Sequence, residues 1–283
     1  MQTFPVFATI VASYRFLVRE LPTIVRLTWA PLAIVAIIQY LSARHVLNGM
    51  ALPLALGDVT AGTRGAYAGW IAFRITVEMI GTAIVAVPLH ELVLFGDRKP
   101  GVYLYAAFGT RELRFTLLSL AFGLTGFIGL LLIVESSGKG YAPIIGIGAI
   151  LVMLYLSTRL WPILPIIVVK NRFEVREAWE LTRGRFWSMA ALGIVGMLPA
   201  LLLAGIISSA LPDLESIAAS HVLSEKRHMV ELAQRWLPLR SALDFVLAIL
   251  NTAIGVALIS YGYKALTGHQ FEERLTPVAV AGE

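Results

Sequence analysis

The sequence predicts an all-α polytopic membrane protein, with six transmembrane helices and interfacial amphipathic helices beside them. Three observations predict it. Of 283 residues, 58% are hydrophobic and only 14% charged, whereas soluble domains carry about a quarter charged residues. The mean hydropathy is +0.77. Apolar runs of about 20 residues, enough for a helix to cross a hydrocarbon core of about 30 Å, alternate with short basic segments.

Met1–Pro22 opens the chain. A secretory signal places positive charges before its apolar stretch, but no basic residue precedes Arg15. Phe4, Phe7, Ala8, Val11 and Val18 recur at helical spacing, which predicts an amphipathic surface helix ending near Pro22. Spans are expected at Ile24–Ala43, Ala66–Leu89, Phe115–Val134, Pro143–Val169, Ser188–Leu211 and Leu243–Leu266. The first is the shortest, with Arg26 near its start, and a re-entrant segment is the alternative reading there. Residues 24–266 thus form one bundle within a single membrane domain, 1–283, and 268–283 are a polar cytoplasmic tail.

Basic residues orient the chain, since cytoplasmic loops collect Lys and Arg. Arg15, Arg19 and Arg26, then Arg98, Lys99, Arg111 and Arg114, then Lys170, Arg172, Arg176, Arg183 and Arg185, with Lys264 and Arg274, fall on one side. Arg44, Arg64, Lys139, Lys226, Arg227, Arg235 and Arg240 fall on the other. The bias of roughly two to one predicts both termini in the cytoplasm of a bacterial cell. The membrane is then the cytoplasmic (inner) one. Small residues at Gly196, Ala200, Ala204 and Ser208, and at Gly123, Gly126 and Gly129, suit close helix packing in lipid.

The fourth span carries Arg159, about three turns or roughly 16 Å before Lys170. Arginine at that depth costs at least about 2.5–3.5 kcal/mol unless it is paired or hydrated. Pro162 and Pro165 follow it and predict a kink with freed carbonyls. Arg74 and Glu78 stand at i, i+4 on the second span, and Asn251 lies on the sixth. Arg74, Glu78, Arg159 and Asn251 are therefore expected to meet as an intramembrane charged cluster. It could serve as a buried pair fixing helix register, or as a site for an anionic head group or ion.

Beyond that span, Phe173–Trp187 reads as a second amphipathic helix. Val175, Ala178, Trp179, Thr182 and Phe186 share one face, and Arg176, Arg183 and Arg185 lie on the others. With Trp187, and with Arg111 and Arg114 before the third span, these residues form an expected lipid interface. TRELRF, from Thr110, echoes TRGRF, from Thr182, as a duplicated unit would.

The run Thr158–Trp187 also resembles a known family. Arg159, Pro165, Ala178, Leu181, Thr182, Arg183, Gly184, Phe186 and Trp187 match the pattern of the membrane domain found beside some glycerophosphoryl diester phosphodiesterases. The pattern is shared by related stand-alone bacterial six-span proteins. The resemblance implies a six-span bundle of largely unassigned activity rather than an enzyme.

Catalytic signals are few. The chain has no cysteine, which excludes thiolate nucleophiles, disulfides and Cys-based metal sites. His90-Glu91 begins like HExxH, but Leu94 stands where the second His belongs. His221 and His228 lie about 10 Å apart along a helix, too far to share an ion unaided. Ser208, Ser209 and Ser260 have no triad spacing. No catalytic or metal site and no cofactor is expected. The leading expectation is a non-enzymatic scaffold or accessory protein that binds anionic lipid and a membrane partner or a second copy, with no nucleic acid. A carrier or channel for a lipid or small anion is the alternative.

Overall fold

The computed structural model describes residues 4–49, 61–99, 109–135, 142–211 and 223–268. These residues are helical, with no strand among them. Among the described residues eight helices follow in order: α1 Val6–Gly49, α2 Ala61–Phe95, α3 Thr110–Glu135, α4 Ala142–Leu160, α5 Ile163–Lys170, α6 Val175–Leu181, α7 Phe186–Ala210 and α8 Leu223–Thr267. Five segments among the described residues are long and apolar enough to cross a membrane: Val6–Asn48, Gly69–Phe95, Ile144–Lys170, Phe186–Ile207 and Val230–Thr267. The predicted third span falls in α3, where the side chains of 122 and 125–135 lie outside the described residues. The expectations at Lys139, His221 and 269–283 also fall outside them.

α1 and α8 form a long antiparallel pair. Phe16 meets Tyr261 edge-on, ring centroids 6.2 Å apart. At the far end the Gln234 amide donates to Asn48 Oδ1 at 3.1 Å. Helices of 44 and 45 residues are each about 66 Å long, roughly twice the hydrocarbon core. α7 is 25 residues, about 37 Å, and packs against one half of α8 only. Gly196 lies against Leu258 and Gly262 against Leu192, while Arg240 Nη1 donates to the Leu211 carbonyl at 3.1 Å, where α7 ends. Leu223–Leu239 and the paired end of α1 therefore run on past the end of α7, by about 25 Å, as a stalk with contacts of its own.

The main core lies where these helices overlap α2 and α5. Ile24, Leu27, Leu89, Ile163, Ile166, Met189, Leu192 and Leu258 are fully enclosed. Hydroxyls placed among them bond back to their own helix: Ser13 to Thr9 O at 2.9 Å, Thr28 to Ile24 O at 2.9 Å and Thr116 to Glu112 O at 2.7 Å. That satisfies polar groups where no water competes.

Two expectations about helix ends are corrected. α1 does not stop at Pro22; it runs unbroken through Pro22 and Pro31. A proline lacks one donor, but the buried stripe Phe16, Leu17, Ile24 and Leu27 continues across it and holds the axis. The N-terminal half is accordingly packed on the bundle, with the Tyr14 hydroxyl donating to Gly196 O at 2.7 Å. The second amphipathic helix is shorter than predicted. α6 ends at Leu181, and a turn with Gly184 at φ +72 leads into α7 at Phe186, a conformation that favours glycine. The predicted break in the fourth span is present: α4 ends at Leu160, and α5 restarts at Ile163 after Trp161 and Pro162.

Candidate functional site

The site forms where that break meets the turn after α6. Two prolines remove two backbone donors within one turn, so α4 cannot continue straight into α5 and Arg159 closes its last turn. Arg159 is 7% exposed. Its Nη1 donates to Thr182 Oγ1 at 3.2 Å, and its guanidinium carbon lies 4.3 Å from the Trp179 ring centroid, a cation–π geometry. The Thr182 hydroxyl in turn sits 3.0 Å from the Arg159 carbonyl and 2.9 Å from that of Ala178. One hydroxyl thus ties both ends of the loop together. Burial of Ala178 and Thr182 fixes α6 against the break, which sets Trp179 over the guanidinium.

Aromatic rings continue outward from Trp179. Tyr155 packs on Trp179 at 6.1 Å and on Phe186 at 5.0 Å, and Phe186 packs on Trp187 at 5.0 Å. Trp179 is 37% exposed and Trp187 81%. A row of aromatic rings therefore leads from the buried cation to the surface, and aromatic rings are favoured where apolar chains meet water. Arg183 is exposed and Arg185 partly so.

Charge on the surrounding surface is already spent. Glu174 faces Arg172 at 3.9 Å, Glu177 pairs with Lys170, and Glu180 accepts from Arg176 at 2.8 Å. The Glu180 carboxylate holds the Arg176 guanidinium above its ordinary pKa by that hydrogen bond. No carboxylate pairs with Arg159 among the described residues, and its buried Nε has no partner. Of its five N–H donors, one meets a protein acceptor among the described residues.

The expected charged cluster is not assembled. Arg74 and Glu78 are exposed on α2; Arg74 lies 5.9 Å over the Trp70 ring and forms no ion pair with Glu78 among the described residues. Asn251 Oδ1 is buried without a partner and does not join Arg159. The cause is direction: α4 turns Arg159 toward α6, whereas α2 turns residues 74 and 78 outward. Arg111 and Arg114 are engaged within the protein, Arg111 with Glu91 at 2.9 Å and Arg114 with Asn171 Oδ1 at 3.0 Å. Lys99 joins Glu91 at 2.6 Å, and Arg98 joins Glu20 at 2.7 Å, so acids from α1 and α2 hold the two basic residues that follow α2.

Spacing alone missed two pairings. Arg159 and Thr182 are brought together by the break, whose prolines were the available signal. His90 Nδ1 lies 2.7 Å from Ser260 Oγ, with both residues fully enclosed. His90 is thus a core residue, and no surface reaches the pair. Chemically, the arrangement at Arg159 can hold an anion; it offers no nucleophile. No family model, no curated protein and no solved structure matches the chain.

Proposed function

We propose that this chain is a six-span, non-enzymatic accessory protein of the bacterial cytoplasmic membrane that holds an anionic lipid head group at Arg159. One observation carries the reading: a guanidinium nine-tenths buried, stacked on Trp179, without a carboxylate among the described residues. Leaving a buried charge unpaired costs several kcal/mol. A lipid phosphate supplies the missing charge, and its acyl chains lie against Tyr155, Trp179 and Trp187. Arg183 and Arg185 attract the same leaflet from outside, at about 1 kcal/mol each near an anionic surface. The basic loops, and with them both termini, then face the cytoplasm. The resemblance of Thr158–Trp187 to six-span membrane domains accords with such a bundle and supplies no activity. A break beside a charged residue is also a feature of carriers, and a carrier for a lipid or small anion is the second reading.

Thermal unfolding in detergent tests the proposal. Phosphatidylglycerol should raise the midpoint of the wild-type protein by several degrees, and phosphatidylcholine should not. Arg159→Gln should abolish that difference, whereas Arg176→Gln, on the exposed face of α6, should keep it. An equal response of Arg159→Gln and wild type would refute the site.

A further inference from the structure

The stalk holds a polar cavity that is separate from Arg159. Its two helices are joined by a small apolar cluster of their own, in which Leu47, Val230, Ala233 and Leu237 are buried and Tyr40 and Ala43 pack against them. Above this floor lies a cavity of about 300 Å³ lined by Tyr40, Arg44, Asn48, Gln234 and Leu237, at the lower end of ligand-pocket sizes. Four of the five lining side chains are polar.

Their hydrogen-bonding roles are unequal. Gln234 Nε2 donates to Asn48 Oδ1 at 3.1 Å and lies 3.4 Å from the Leu47 carbonyl. That bond engages the Asn48 carbonyl oxygen, and the Asn48 amide N–H groups meet no protein acceptor among the described residues. The Tyr40 hydroxyl and the Arg44 guanidinium make no hydrogen bond among the described residues, and Arg44 forms no ion pair there. Glu231, one turn from Gln234, is exposed and unpaired with Arg44. The cavity is thus rich in donors, carries one positive charge and has no acid of its own among the described residues. An arginine fork beside neutral donors matches the oxygens of a phosphate group.

We propose that this pocket binds a phosphate group, at the end of the molecule opposite the Arg159 site. The group belongs to a free phosphate compound or to a lipid head group of the leaflet through which the stalk emerges. Arg44 supplies the charge, Asn48 and Tyr40 add neutral donors, and Gln234 orients Asn48. Because α7 ends at the level of Arg240, the pocket lies beyond α7, within reach of water and head groups.

The full chain in phosphatidylcholine nanodiscs, titrated calorimetrically with inorganic phosphate, provides the test. Saturable binding is expected, weakened at least tenfold by Arg44→Gln, less by Asn48→Ala, and unchanged by Arg159→Gln. Arg44 makes no bond that the fold requires, so Arg44→Gln should unfold at the wild-type temperature; Asn48→Ala and Tyr40→Phe give the same reading should it not. If phosphatidylglycerol nanodiscs suppress phosphate binding in wild type, the physiological source is a lipid head group; if binding persists there, it is a free phosphate. Absence of saturable binding, or equal affinity in wild type and Arg44→Gln, would overturn the proposal.

Discussion

The hydroxyl of Thr182 joins the end of α4 to the turn before α7, and without it Arg159 would have no protein acceptor among the described residues. Thr182→Val keeps shape but strands that donor, at about 1–3 kcal/mol. Once Arg159→Gln is present the hydroxyl matters less, so a double-mutant cycle should show coupling of at least about 0.5 kcal/mol. Arg159→Gln and Glu78→Gln should instead add within about 0.3–0.5 kcal/mol, since the two do not meet. Thermal unfolding in detergent measures both cycles; coupling to Glu78 and none to Thr182 would reverse the assignment. That Arg159 must be buried and special was legible from one charge in an apolar run. Its partner was not, because depth along a span says nothing about the direction in which a side chain leaves its helix. Glu78 is at a plausible depth and on the wrong face.

Among the elements, prolines were legible only where they cluster. Pro162 and Pro165 remove two donors in one turn and break the helix, whereas Pro22 removes one while Phe16, Leu17, Ile24 and Leu27 stay in line against the core. A second consequence of the break is that Trp161 turns into α7 at Gly193. A Cβ added at Gly193 would lie 2.1 Å from the Trp161 ring, while at Gly205 it would meet nothing within 4 Å. Gly193→Ala should therefore destabilise by about 1–3 kcal/mol, the usual cost of overpacking. Gly205→Ala, by contrast, should be neutral or slightly stabilising, because alanine is the better helix former. Equal unfolding temperatures for the two variants would mean that α7 does not pack on the break. The small-residue stripe on α7 was visible in the sequence; that Trp161, Tyr14 and Leu258 fill the space beside it was not, since each comes from a distant segment.

For the whole molecule, membrane character followed from composition, because apolar runs of this length have no aqueous solution. The stalk did not, because hydropathy marks apolar length without fixing where the bilayer sits along a helix of about 66 Å. The fold adds the end of α7 at Arg240, past which Leu223–Leu239 and the paired end of α1 continue. The molecule then has two ends of different character, a basic, aromatic face around Arg159 and a polar pocket around Arg44. The binding of anionic lipid at the first of these is tested most directly by native mass spectrometry of protein extracted gently from bacterial membranes. The wild-type chain should retain one tightly held anionic phospholipid that survives collisional activation, Arg44→Gln should retain it as well, and Arg159→Gln should lose it. Retention of the same lipid by Arg159→Gln, or a wild-type spectrum showing only exchangeable zwitterionic lipid, would contradict it.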